Sequence, residues 1–154
     1  MVDREELLEK YAGTEKDFTG QSFGGLRDKS IKGGIYRETN FSEAEFDCGD
    51  FIEVELSFAN FRRVRMFESS FMNSFMEGID FTGARFGQVA FYKVNLTRAI
   101  FKNATLSETS FYQADLSYAD LQGAKEYEMG RFEEVIFYET IMPDGSIRTD
   151  TSSN

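Results

Sequence analysis

Few residues in this 154-residue chain have the types and spacing to do chemistry. There is no histidine, so a general base or a metal site would have to be built from carboxylates, lysines or the lone Cys48. Nothing beside Cys48 supplies a base, and its acidic neighbours raise a thiol pKa and keep it protonated. The densest acidic run is Glu38, Glu43, Glu45, Asp47, Asp50, Glu53 and Glu55. It lacks the close oxygen-ligand spacing of a calcium loop. Gly24-Gly25 and Gly33-Gly34 lack the lysine and spacing of a phosphate loop and suit tight corners instead. The expectation is therefore no catalytic residue, no cofactor and no metal: a protein that is not an enzyme.

What the chain does carry is a period of five. From Leu26 to Leu121 every fifth residue is apolar, through Ile31, Tyr36, Phe41, Phe46, Phe51, Leu56 and onward. Two residues before each centre stands a mostly small one, such as Ala44, Val54, Ala59, Val64, Ala84 and Ala99. Neither an α-helix nor a strand has this period. Both sets must point inward, with the polar remainder at solvent-facing corners. Each pentad is one side of a coil, and the composition of 17 Phe and 7 Tyr with no Trp follows from that core.

The core residues also give the number of sides. Every second centre from Phe41 to Phe111 is Phe, while the centres between are mainly Leu and Met. Stacked coils place like over like, so the number of sides must be even. Two would leave no interior for phenylalanine, which makes four sides and about twenty residues per coil the economical solution. The register slips by one residue after Leu121 and resumes as Tyr127, Phe132, Phe137, Met142 and Ile147, which predicts a bulge near 122–126, about Ala124-Lys125-Glu126. About six coils at the inter-strand spacing make a rod on the order of 30 Å long.

Ala114-Asp115-Leu116-Ser117-Tyr118 and Ala119-Asp120-Leu121-Gln122-Gly123 resemble the repeat of the pentapeptide-repeat family. The resemblance implies an all-β, right-handed quadrilateral β-helix over 26–147. Its closing segment around Pro143-Asp144-Gly145 is similar to those of cyanobacterial members. A short helix within 1–25 is expected to cap the open end, with Asp3 as N-cap, Gly13 as its stop, and Phe18 and Phe23 as the connection that seats it. The Thr- and Ser-rich tail, 148–154, reads as disordered.

A charged start with no apolar run behind it points to a cytoplasmic protein without membrane insertion. A net charge of −10 argues against direct nucleic-acid binding. The resemblance raises the converse, a DNA mimic acting on DNA gyrase or another DNA-binding protein. The charge is spread unfavourably for that, because 26–122 has fourteen acids against eleven bases, with a basic band at Arg62, Arg63, Arg65 and Arg85. The rival is an interaction or scaffold module with a protein partner, a second copy of the chain among the candidates. Ile52, Met72, Tyr92 and Tyr112 each follow a core Phe and recur every twenty residues, so they stack as an outward apolar stripe, with Phe75 near the adjoining corner. Such a stripe either receives a partner or only ties neighbouring coils together.

Overall fold

The computed structural model describes residues 4–12, 16–23, 30–126 and 131–151. Helix α1 (Arg4–Ala12) is followed by β1 (Ser22–Phe23), β2 (Ile31–Lys32), β3 (Glu45–Asp47), β4 (Asp50–Ile52), β5 (Arg65–Phe67) and β6 (Ser70–Met72). Then come β7 (Arg85–Gly87), β8 (Ala90–Tyr92), β9 (Thr105–Ser107), β10 (Ser110–Tyr112), β11 (Arg131–Glu133), β12 (Ile136–Ile141) and β13 (Ile147–Thr151). Two parallel sheets run the length of the rod, ordered β1-β3-β5-β7-β9 and β2-β4-β6-β8-β10-β11. Two further walls are ladders of single bridges, one through Asn40, Asn60, Asp80, Ile100 and Asp120, the other through Ile35, Glu55, Phe75, Asn95 and Asp115. The chain is thus a quadrilateral β-helix. Its sheets of five and six strands amount to between five and six turns.

We number the walls in chain order, with the first centred on Phe41, the second on Phe46, the third on Phe51 and the fourth on Leu56. The repeat sequence explains their corners. Two residues after each centre the backbone takes a positive φ, as at Glu43 (59°), Cys48 (57°), Glu53 (56°) and Phe58 (60°). On the first and fourth walls this closes a turn in which the small residue's N–H donates back to the centre's carbonyl, Ala44 to Phe41 at 3.1 Å and Ala59 to Leu56 at 3.0 Å. The Asp or Asn before the centre accepts the N–H two residues on, as Asn60 does from Arg62 at 3.0 Å and Asp115 from Ser117 at 2.9 Å. That local bond accounts for the Ala-(Asp/Asn)-Leu pattern. At the corners that follow the second and third walls two of the small positions are buried serines whose hydroxyls accept from a neighbouring coil. Gly49 N–H donates to Ser69 Oγ at 3.1 Å, and Val54 N–H to Ser74 Oγ at 3.2 Å.

The interior is two opposed phenylalanine ladders. On the first wall Phe41, Phe61, Phe81 and Phe101 follow one another at ring distances of 4.9, 5.4 and 5.1 Å. On the third, Phe51, Phe71, Phe91 and Phe111 do so at 4.8, 5.3 and 5.0 Å, nearly parallel. Across the axis the ladders meet edge to face, Phe91 against Phe101 at 6.1 Å and 89°. Both geometries are favourable for the ring quadrupole. The small residues at the corners let the walls close on the rings.

Several expectations about the ends change. Phe18 and Phe23 are rungs of the core rather than a connection, since Phe18 stacks on Phe41 at 5.2 Å and Phe23 on Phe46 at 4.6 Å. The solenoid therefore begins ahead of residue 26. Asp17 pairs with Asn40 and Ser22 with Glu45, an offset of twenty-three, whereas Ile31 pairs with Phe51 at twenty. The three extra residues fall between Phe23 and Ser30. Leu26 lies there, outside the described residues. Leu7 of α1 is buried against this end of the core, and Leu8 packs beside it; Asp3 and Gly13 are outside the described residues.

At the other end the offset of twenty holds through Thr105 and Lys125 and becomes twenty-one at Ser110 and Arg131. The extra residue thus follows Lys125; Tyr127 lies outside the described residues. Ile147 is not a core centre but is exposed and opens β13. The tail is ordered through Thr151, since β13 pairs antiparallel with β12, Arg148 beside Thr140 and Asp150 beside Phe137. A turn over Pro143-Asp144-Gly145 joins them, closed by Met142 N–H to Ser146 O at 2.8 Å. An antiparallel strand there occupies a backbone edge that the last turn would otherwise leave open.

Candidate functional site

The stripe is built as its spacing requires. Ile52, Met72, Tyr92 and Tyr112 are direct partners on β4, β6, β8 and β10. The rings of Tyr92 and Tyr112 lie 5.1 Å apart and 6° from parallel, and Lys93 Nζ stands 5.1 Å over Tyr92. Lys32 precedes the stripe on β2 and Glu133 follows it on β11. Tyr112 donates to Glu134 Oε1 at 3.4 Å, and the charge of Glu134 raises its phenol above the ordinary value. All four stripe residues are half-buried, because each shields the next.

Phe75 belongs to a different surface. It sits on the fourth wall between Glu55 and Asn95, 57% exposed. Its neighbours were not singled out from the sequence. Ile35 (63%), Phe58 (48%), Tyr118 (48%), Ile136 (44%) and Tyr138 (46%) are all on this wall. Among the described residues, six of the eight exposed large apolar side chains are therefore on one side of the rod. Twenty-residue counting from Phe75 reaches Ile35, and counting from Phe58 reaches Tyr118, so the signal was present in the spacing.

Phe58 and Tyr118 occupy the corner position at φ of 60° and 61°. A bulky side chain there is strained by about 1 kcal/mol, and exposure returns little of it by burial. Each ring has an arginine beside it, Arg37 at 5.9 Å from Phe58 and Arg98 at 5.7 Å from Tyr118. Arg98 in turn pairs with Glu77 at 2.6 Å. Tyr138 meets Tyr118 edge to face at 5.3 Å. The fourth wall is thus an aromatic surface studded with guanidinium groups, a composition typical of protein interfaces.

The acidic run disperses around the coil. Glu43 pairs with Arg63 and Glu45 with Arg65, both at 3.1 Å, and Glu55 with Arg37 at 4.0 Å. No group of three or more His, Cys, Asp or Glu able to hold a metal occurs among the described residues. Cys48 is half-buried at a corner and donates to Asp47 Oδ1 at 3.3 Å and Glu68 Oε2 at 3.4 Å. No described helix is long and apolar enough to cross a membrane. The rod is less regular than expected in one respect, for the second wall has a shallow concavity of about 520 Å³ around Phe67.

The sequence profile described as Pentapeptide repeats matches in 8 copies over residues 50–88, 59–98 and 90–125. No curated protein matches. Among solved structures, a trypsin-treated variant of QnrB1, a plasmid-mediated fluoroquinolone resistance protein, is similar with a TM-score of 0.57 and 16% identity. The alignment covers 82% of this chain and 69% of that one. HetL, a pentapeptide repeat protein involved in heterocyst differentiation regulation from the cyanobacterium Nostoc sp., aligns with a TM-score of 0.31 and 17% identity, over 96% of this chain and 100% of that one.

Proposed function

The chain belongs to the pentapeptide-repeat family, and from that premise we propose that it is a non-enzymatic interaction or scaffold module that holds a protein partner on its fourth wall and the adjoining stripe. The observation that carries this reading is the concentration of exposed apolar side chains on one wall, two of them at a backbone conformation that disfavours them. Phe75, Phe58 and Tyr118 supply the contact area. Ile52, Met72, Tyr92 and Tyr112 extend it around the corner, where Asn73 and Lys93 stand at the edge. The same reading places the protein in the cytoplasm.

The test is affinity capture from the native host with wild type, with Phe75→Glu/Tyr118→Glu, and with Tyr92→Glu/Tyr112→Glu, alongside sedimentation to detect self-association. Lost capture or lost self-association at an unchanged melting temperature supports the proposal. A lowered melting temperature with capture intact assigns these residues to coil stability and overturns it.

A DNA mimic acting on DNA gyrase is the weaker reading. Likeness to QnrB1 is a likeness of fold, and acids on the first and second walls are neutralised by Arg62, Arg63, Arg65 and Lys102. A line of negative charge along the rod is what mimicry needs. A supercoiling assay at micromolar protein, showing neither inhibition nor protection, would remove it.

A further inference from the structure

The second wall, opposite the aromatic one, gathers Arg65 and Arg85, with Arg63 at its corner, into a local cluster in a chain whose net charge is −10. Its outward column runs Glu45, Arg65, Arg85, Thr105 in direct register. Arg65 pairs with Glu45 at 3.1 Å, and Arg63 at the corner pairs with Glu43 at 3.1 Å. Arg85 is exposed and takes part in no ion pair among the described residues. Like charges directly opposite on adjacent strands destabilise a sheet. The column therefore holds an uncompensated guanidinium against another one.

Space is left on both sides of it. At the corner, Gly83 has only Arg63 Cγ, at 3.6 Å, near the place a Cβ would take. The gap is a depression of about 300 Å³ lined by Glu43, Arg63, Arg65, Gly83 and Arg85. On the other side lies the larger concavity, where Phe67, 49% exposed, forms a shelf. Its ring lies over Gly87, where a Cβ would meet it at 2.7 Å, so the absence of a side chain at 87 is what lets the ring lie there.

We propose that this wall is a second binding site, for an acidic segment of a partner protein: a carboxylate on Arg85, shared with Arg65 and Arg63, and the neighbouring apolar side chain on Phe67. Guanidinium forks bind carboxylates with two parallel hydrogen bonds, which a lone unpaired Arg85 is free to make. Arginine and aromatic side chains, phenylalanine among them, are also enriched at protein interfaces. Glu43, Glu45 and Asp47 on the rim oppose any dense run of negative charge, so a duplex or a single strand is disfavoured and the fit is to one carboxylate beside an apolar side chain. The strands here are already paired on both edges within the ladder, so recognition is by side chains rather than by strand addition. The two sites stand on opposite walls, which lets one rod hold two partners.

The experiment is a titration of the isotope-labelled full chain, followed by NMR, with the capped peptide Gly-Ser-Glu-Phe-Ser-Gly and its Gln isostere. Shifts confined to Arg63, Arg65, Phe67, Arg85 and Gly87 are expected, with affinity reduced about tenfold or more by Arg85→Gln and also reduced by Phe67→Ala. Ser117→Ala on the opposite wall leaves the affinity unchanged. Equal binding of the isostere overturns the proposal, as does an identical response to inorganic phosphate at the same concentration. Tighter binding of a single-stranded oligonucleotide than of the peptide overturns it too.

Discussion

The ring of Phe58 lies across Gly78 of the next turn, so closely that a Cβ built on Gly78 would stand 2.8 Å from two of its carbons. Gly78 has a φ of +62° and shares its column with Phe58, Arg98 and Tyr118. Gly78→Ala must both hold an L-residue in the left-handed region and push the ring aside. The ring is half free to swing, so the backbone term dominates, and a loss of about 1–2 kcal/mol is expected. Urea unfolding of the variant and of Phe58→Ala/Gly78→Ala separates the two terms, since only the ring clash is relieved in the double variant.

The phenylalanine ladders should be the most expensive part of the rod to damage. Phe91 touches five other rings, Phe71 and Phe111 in its own ladder, and Phe81, Phe86 and Phe101 around it. Phe91→Ala leaves a cavity at the centre and costs about 3–5 kcal/mol. Phe132→Ala, in the last rung and only half-buried, has less to lose. A smaller fall in urea midpoint for Phe91 than for Phe132 would contradict the packing described above.

The ladders were legible because a coil of constant length repeats its core in phase. Phe18 and Phe23 were missed for the converse reason: three extra residues in the first turn break the count, although both side chains are as deep as Phe61. Strand β13 was missed because a Thr- and Ser-rich tail reads as polar, while threonine suits a strand that has an edge to pair with. The stripe was placed correctly in register but its exposure could not be read from spacing. Tyr92 is shielded by Tyr112 above it, whereas Phe75 stands between Glu55 and Asn95 and is left open. Exposure depends on the neighbour one turn away, and only the assembled ladder shows which neighbour that is.

Acid should loosen the ends of the rod before its middle. Asp17, in the first turn, is held below its ordinary value of 3.8 chiefly by the hydrogen bond from the Thr19 hydroxyl, helped by the Thr19 N–H. At the other end Asp144 is lowered by Ser146, and Asp150 by Arg148. A carboxylate whose folded pKa is depressed stabilises the fold fully above the unfolded value and loses that contribution as pH falls through the folded one. The window therefore lies below 3.8 for all three groups. Amide exchange at falling pH should show Gly20 and the β12–β13 pair losing protection ahead of Phe81 and Phe91. Thr19→Val should weaken the acid dependence at the first turn, the Thr19 N–H and Asn40 bonds to Asp17 remaining, while sparing the hairpin.

Tyr118 allows stability and binding to be set against each other. It occupies a corner at φ 61°, is 48% exposed, and is contacted by Arg98 and Tyr138. Asparagine tolerates that backbone conformation far better than tyrosine. Were Tyr118 present only to stabilise the coil, Tyr118→Asn would lower the melting temperature through the lost ring contacts. The interaction reading expects the reverse, because relief of about 1 kcal/mol of backbone strain offsets exposed contacts worth no more than that. The melting temperature should hold or rise, while partner capture through the fourth wall falls. Differential scanning calorimetry and capture on the same preparation decide between the two, and a variant that both melts earlier and binds normally would return the fourth wall to the status of coil packing.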